Sequence, residues 1–439
     1  GLSGTTTGVV LFLALIWDAI SDPLVGTWSD RFDSPWGRRH PFMVAGAIPL
    51  GMGFVGLFSP PMLVVENSLY LACWLLFWSL WIRTAVTLFA LPHLALVAEM
   101  ATDYDERSRM LGIRMGFVFV GSILLPALAI FFLFTEVDGI DGRFVESNYI
   151  SYGWMSALVV WVAATLCIWG TRGAIDSIKV EASRRPSGAG LIGLIRDFLL
   201  TLKNRNLRNL LFYDLAASTS YGIAITLNVM TWTYYWELST NELALMMGIP
   251  ALTAVPLALF GMEFLGRRWS KDKILSWAIV LMLLNSFWTF GLRMMDWIPD
   301  NGHVLVLALL GVQSFLFIFL FVFRVVAAFS IIADATDEHE ADHGTRQEAG
   351  FFSAFAFTTK LSAASGPLYG GIALDFIGLK AGAMPGELSQ ATLDGLVWAI
   401  VIAVLPTMLI ALYFTLKISM TREQLAEIQQ RIVDRKEVE

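Results

Sequence analysis

Apolar residues in this chain do not alternate with polar ones; they gather into long runs, with most charges pushed to the run borders. A helix needs about 20 apolar residues to cross the hydrocarbon core of a bilayer. Such runs recur near 6–28, 42–58, 69–98, 111–134, 151–170, 207–235, 243–264, 274–293, 303–333, 350–378 and 391–416. Eleven transmembrane helices are therefore predicted. Lys and Arg crowd 29–41, 99–110, 171–206, 265–273 and 417–439, whereas the alternate loops 59–68, 135–150, 236–242, 294–302 and 379–390 hold only Arg143 and Lys380. Because basic loops stay cytoplasmic, residue 1 is expected outside and the C-terminus inside.

Composition agrees with lipid as the solvent: 56% of residues are hydrophobic, with 16 Trp and 31 Phe in 439, which predicts an all-α, multi-pass membrane protein. The net charge of −7 is modest, and the basic residues follow topology, so no nucleic-acid partner is expected. No phosphate-cradling Gly loop or nucleophile elbow is present. Neither an enzyme nor a cofactor is expected. Cys73 and Cys167 both fall in predicted spans and read as packing residues. His339 and His343, four apart in a segment expected to be an acidic loop, read as solvated, and no metal is expected beyond a possible Na⁺.

The polar segment 171–206 separates five predicted spans from six, and two patches repeat across it. Gly26…Asp30-Arg31…Gly37-Arg38-Arg39 is echoed by Gly261…Gly266-Arg267-Arg268, and Glu99…Asp103…Arg107 by Asp334…Asp337…Arg346. Parallel halves are the expected plan: an N-terminal bundle over 1–170, a linker over 171–206 with an interfacial helix near 191–202, a C-terminal bundle over 207–416, and a helical tail over 417–439. An odd span count with an external start implies a twelfth helix before Gly1.

Charges inside the predicted spans single out candidate chemistry. Asp18 and Asp22 lie four apart in the first run, where each costs on the order of 2.5–3.5 kcal/mol to insert, so such residues mark an ion or proton pathway or a polar clamp between helices. They share one helical face, and a proton or Na⁺ would relieve their mutual repulsion. Arg83, Arg114 and Lys360 lie deep in their spans. Arg83 reads either as the anchor for a solute's carboxylate, sulfonate or phosphate, or as an ion-pair partner of Asp18 or Asp22. Asp214, beside Tyr213, reads as a cytoplasmic gate or a partner of Lys360; Arg324 as a snorkelling or vestibular cation; Arg293 as a helix-end cap. Trp17, Tyr221, Trp232 and Tyr234 read as packing or interfacial aromatics before cavity walls.

Trp17-Asp18…Ser21-Asp22-Pro23, Asp30-Arg31, Trp36-Gly37-Arg38-Arg39-His40-Pro41, Leu91-Pro92, Arg107…Arg114, Asp334…Asp337, Arg346…Phe352 and Lys360 together resemble the glycoside-pentoside-hexuronide:cation symporters, the melibiose-carrier-like branch of the major facilitator superfamily. The resemblance covers essentially the whole chain. It implies that superfamily's fold, two pseudo-symmetric bundles of twelve helices, the first lying before residue 1. It also implies a cation site at Asp18, Ser21, Asp22 and Thr87, and substrate roles for Arg114 and Lys360. The loop charges Asp30, Arg31, Arg38 and Arg39, with Glu99, Asp103, Arg107, Asp334, Asp337 and Arg346, would gate the cytoplasmic face. Ser21 replaces an Asn common in sodium users, and Ala90 and Leu94 stand where the melibiose carrier places an acid and an aromatic, leaving His93 as the polar residue there.

The expected activity is symport of a small organic solute, such as a glycoside, a uronide or another organic anion, with Na⁺ or H⁺ as the coupling ion. A lysolipid-like cargo and a non-transporting accessory subunit of a membrane complex are the alternatives. The expected setting is a monomer in a bacterial inner membrane, its partners being lipid, solute and cation.

Overall fold

The computed structural model describes residues 1–32, 34–100, 109–110, 113–114, 116–118, 120–174, 204–343, 348–418 and 422–438. These are helical apart from turns and one isolated bridge between Val137 and Ile140. Nine helices among them are long and apolar enough to cross a membrane. Of the eleven predicted spans, 111–134 is only partly described. The helix at 348–376 is long enough but is not among the nine; Thr358, Thr359, Lys360 and Ser362 interrupt its apolar character. Two compact units emerge: residues 1–193 with Lys380–Gly382, and the remainder.

In the first unit, α1 (Gly4–Arg31) and α2 (His40–Leu57) are followed by α3 (Ser68–Met100), α4 (Leu125–Leu133) and α5 (Glu146–Thr171). Along α1 the buried positions Val10, Ala14, Asp18, Ser21, Val25 and Ser29 follow helical spacing, as do the exposed Val9, Leu13, Trp17, Ile20, Leu24 and Trp28. One face of α1 is therefore buried against protein and the other is exposed. The turn after α1 needs the Gly of the Trp-Gly-Arg-Arg pattern: Gly37 sits at φ 74°, and its N–H donates to Ser34 O at 3.0 Å. Pro41 then starts α2, where a missing N–H costs nothing. α2 packs antiparallel on α3, close enough that a β-carbon on Gly46 would stand 2.8 Å from Ala85 O.

In the second unit, α6 (Arg205–Met230), ending in a π-helical turn Thr231–Tyr235, leads to α7 (Thr240–Gly266), α8 (Lys271–Asn285), α9 (Trp288–Met294), α10 (Val304–His343), α11 (Glu348–Phe376), α12 (Gln390–Thr415) and the tail helix α13 (Arg422–Val438). The predicted span 274–293 is broken after Asn285. Gln313 of α10 covers the break, donating to Asn285 O at 2.9 Å while the Asn285 amide donates to Gln313 O at 3.0 Å. A free backbone carbonyl inside a membrane needs such a partner.

α10 overruns its predicted end and corrects the reading of 334–343 as a loop. Its 40 residues span about 60 Å at the standard helical rise, roughly twice the hydrocarbon thickness. The overrun carries acidic anchors. Glu338 accepts from Asn204 and Asn206 at the start of α6, and Asp342 pairs with Arg431 of the tail helix at 2.9 Å. His339 packs on Phe351 rather than standing in solvent.

Candidate ion and solute sites

α1 and α3 run parallel, bringing 17–18 beside 83–84 and 21–22 beside 87. Arg83 Nη1 donates to Asp18 Oδ2 at 3.1 Å. Thr87 donates its hydroxyl to Asp22 Oδ1 at 2.9 Å and lies 3.4 Å from the Ser21 hydroxyl, which itself reaches Asp18 O at 3.4 Å. All four residues of the predicted cation site thus meet on one α1–α3 seam. Asp18 Oδ1 is buried and has no hydrogen-bond partner among the described residues, although buried polar oxygens are normally satisfied. Two carboxylates and two hydroxyls form an all-oxygen donor set, which fits a hard cation or a proton.

Of the two readings of Arg83, the ion pair is the one observed. The pair is lopsided: the Asp18 side chain is 10% exposed and that of Arg83 38%. Trp17 extends the seam by donating from Nε1 to Thr84 at 2.9 Å. Arg114 is half-buried, and His93 stacks on Phe89 with ring centroids 5.8 Å apart.

The second unit holds a separate polar centre that the sequence reading missed as a unit. Asp214 of α6 is 2% exposed. It accepts from Ser218 at 2.8 Å, Thr358 at 3.2 Å and Thr359 at 2.6 Å. Arg324 Nη1 approaches Asp214 Oδ1 at 3.8 Å and donates to the Tyr213 hydroxyl at 3.5 Å. The geometry corrects one expectation: Arg324 is buried rather than snorkelling, because Asp214 and the Phe321 ring, 5.1 Å from its guanidinium carbon, take the place of water. Asp214, expected as a cytoplasmic gate or a partner of Lys360, is the carboxylate at the heart of this buried cluster. The signal was present as Thr358-Thr359-Lys360, three polar residues within an apolar helix. Lys360 itself is half-buried on the same turn.

The loop charges divide. Asp334 receives both short bonds of Lys271 Nζ, each 2.7 Å, so the repeated acidic patch is tied to the first residue of α8, three positions after the second copy of the basic pattern. Lys271 was not singled out from sequence, since a basic residue in a basic loop carries no distinguishing signal. Arg39 is buried and donates to Ser29 at 2.8 Å, fastening the loop to the last turn of α1. Arg38 is half-buried and Asp337 lies on α10. The side chains of Asp30, Arg31 and Glu99, together with Asp103, Arg107 and Arg346, lie outside the described residues, as does the helix expected near 191–202. Arg293 caps as expected, binding Pro299 O at 2.7 Å and Asn301 Oδ1 at 2.6 Å beyond the end of α9. Tyr221 stacks on Phe321 at 4.5 Å, and Tyr234 donates to Ala383 O; both serve packing, and Trp232 is half-buried.

A family model described as MFS/sugar transport protein matches residues 1–421. YagG of Escherichia coli, provisionally named a glycoside/cation symporter, is 23% identical over 92% of this chain and 82% of its own length. An Escherichia coli protein provisionally named a sulfoquinovose importer is 21% identical over 98% and 87%. Among solved structures, the inward-open xylose transporter XylE from E. coli superposes with a TM-score of 0.61 at 15% identity, covering 97% of this chain and 89% of that one. At that identity the likeness speaks for the fold alone.

Proposed function

Because the chain belongs to the MFS/sugar transport protein family, and is thus a multi-pass membrane transporter rather than an enzyme, we propose that it couples transport of a small organic solute to Na⁺ or H⁺ bound at Asp18, Ser21, Asp22 and Thr87. The observation that carries this reading is the α1–α3 seam, where a buried Asp18 oxygen lacks a partner beside a second carboxylate and two hydroxyls. A monovalent cation supplies what that oxygen lacks and relieves the repulsion between the two acids.

Arg83, Arg114 and Lys360 are the cations proposed for solute binding, which favours a uronide, sulfonate or other organic anion over a neutral glycoside. The relative named a sulfoquinovose importer is consistent with such a charge. Asp334, held by Lys271, and Arg39, held to Ser29, belong to the gating set, with Asp30, Arg31, Arg38, Glu99, Asp103, Arg107, Asp214, Asp337 and Arg346 as its other members. Residues 171–206 link the two bundles on the cytoplasmic side, and alternating access moves one bundle against the other.

Uptake into proteoliposomes tests this reading, with Na⁺ and pH gradients imposed separately and neutral sugars, uronides and sulfonates offered in turn. Accumulation driven by one cation gradient and abolished by Asp22→Asn is the expected result. Accumulation that Asp22→Asn leaves intact would refute the assignment of the coupling site.

A further inference from the structure

Arg83 is more accessible than the acid it pairs with. Its side chain is 38% exposed, whereas its partner Asp18 is 10% exposed and has one oxygen bound to the guanidinium and the other without a partner. A buried carboxylate left without a counter-charge is strongly disfavoured. Any solute that draws the guanidinium away therefore creates a demand for a cation at Asp18. Conversely, a cation at Asp18 and Asp22 repels the neighbouring guanidinium and loosens its hold.

We propose that Arg83 is the exchange residue of coupling: it neutralises Asp18 when the centre is empty, and passes to an anionic group of the solute when the cation replaces it. This rests on the coupling-site reading above and adds to it the charge of the solute and the residue that enforces stoichiometry. The seam is suited to such an exchange. Arg83 and Asp18 meet through a single 3.1 Å hydrogen bond rather than a bidentate fork, and a singly bonded guanidinium keeps donors for a second anion.

The test uses the full chain in detergent, with Na⁺ and H⁺ as cation probes and glucuronate, methanesulfonate and glucose as solute probes. Cation affinity is read from ligand-induced thermal stabilisation. Coupling energies between two sites commonly span 5–150-fold, so Arg83→Gln is expected to tighten cation binding about tenfold in the absence of solute, because the competing charge is gone. In the unmodified protein an anionic probe, but not glucose, should tighten cation binding. Arg83→Gln should abolish that response, and Arg83→Lys should keep both the weaker cation affinity and the response. Cation affinity in Arg83→Gln that is unchanged or weaker, in protein melting as the Lys variant does, overturns the exchange role. So does an anion response that survives the loss of the guanidinium. Cation binding that persists in Asp22→Asn instead defeats the underlying site, which separates the two failures.

Discussion

Gly222 of α6 and Gly366 of α11 meet so closely that a β-carbon on Gly366 would stand 2.4 Å from the Gly222 carbonyl. Two turns earlier on each helix, the same parallel seam joins Asp214 to Thr358, and one turn later Thr226 lies against Gly370. The tight crossing thus sets the register that delivers two Thr hydroxyls to a buried carboxylate. Gly366→Val should destabilise the protein by about 1–3 kcal/mol through overpacking, seen as a lowered unfolding temperature. Gly291→Ala, where nothing lies within 4 Å of the added carbon, should leave that temperature almost unchanged.

At the α1–α3 seam, the Thr87 hydroxyl serves Asp22 directly. Removing it in Thr87→Ala should cost on the order of 1 kcal/mol, about a fivefold loss of cation affinity, while Thr87→Ser keeps the oxygen and most of the binding. Titrating the coupling ion against thermal stability in the two variants checks this. Equal weakening in both would show that the methyl group, and not the hydroxyl, matters.

Asp214 and Arg324 are each buried with the other as the nearby opposite charge. Breaking one member of a buried pair costs roughly 3–5 kcal/mol, whereas replacing both with apolar groups can be nearly neutral. Arg324→Leu alone should therefore be severely destabilising, and adding Asp214→Asn should recover a large part of the loss. Expression and unfolding temperature of the single and double variants measure the interaction. Simple additivity would mean that the pair is not energetically linked.

Lys271 and Asp334 should behave as one element in transport. Their two 2.7 Å contacts join the start of α8 to α10, so Lys271→Gln, Asp334→Asn and the double variant should change the uptake rate to similar extents rather than additively. The Arg431–Asp342 pair supplies the contrast. Both its side chains are about half exposed, and surface pairs contribute between zero and about 1 kcal/mol, so Asp342→Asn should alter neither rate nor stability measurably.

Much of the architecture was legible along the chain because lipid imposes a length and polarity rule that a one-dimensional pattern can express. The first run, predicted at 6–28, is observed at Gly4–Arg31, and that at 69–98 is observed at Ser68–Met100. The rule weakens where polarity is local. The break after Asn285 depends on Gln313 of another helix, and the overrun of α10 depends on partners at Asn204, Asn206 and Arg431.

By itself the sequence determined which residues are too costly to sit in lipid without a role: Asp18, Asp22, Arg83, Arg114 and Lys360 stand out in apolar runs because a charge is expensive there wherever the helix packs. Only the tertiary structure decided their partners. It paired Arg83 with Asp18 and not Asp22, gave Asp22 to Thr87, and brought Asp214 to Arg324 and Thr359. The insertion cost belongs to each residue alone and is written in composition. The compensation belongs to the register between helices, set by contacts such as Gly222 against Gly366, which side-chain periodicity within a uniformly apolar helix cannot reveal.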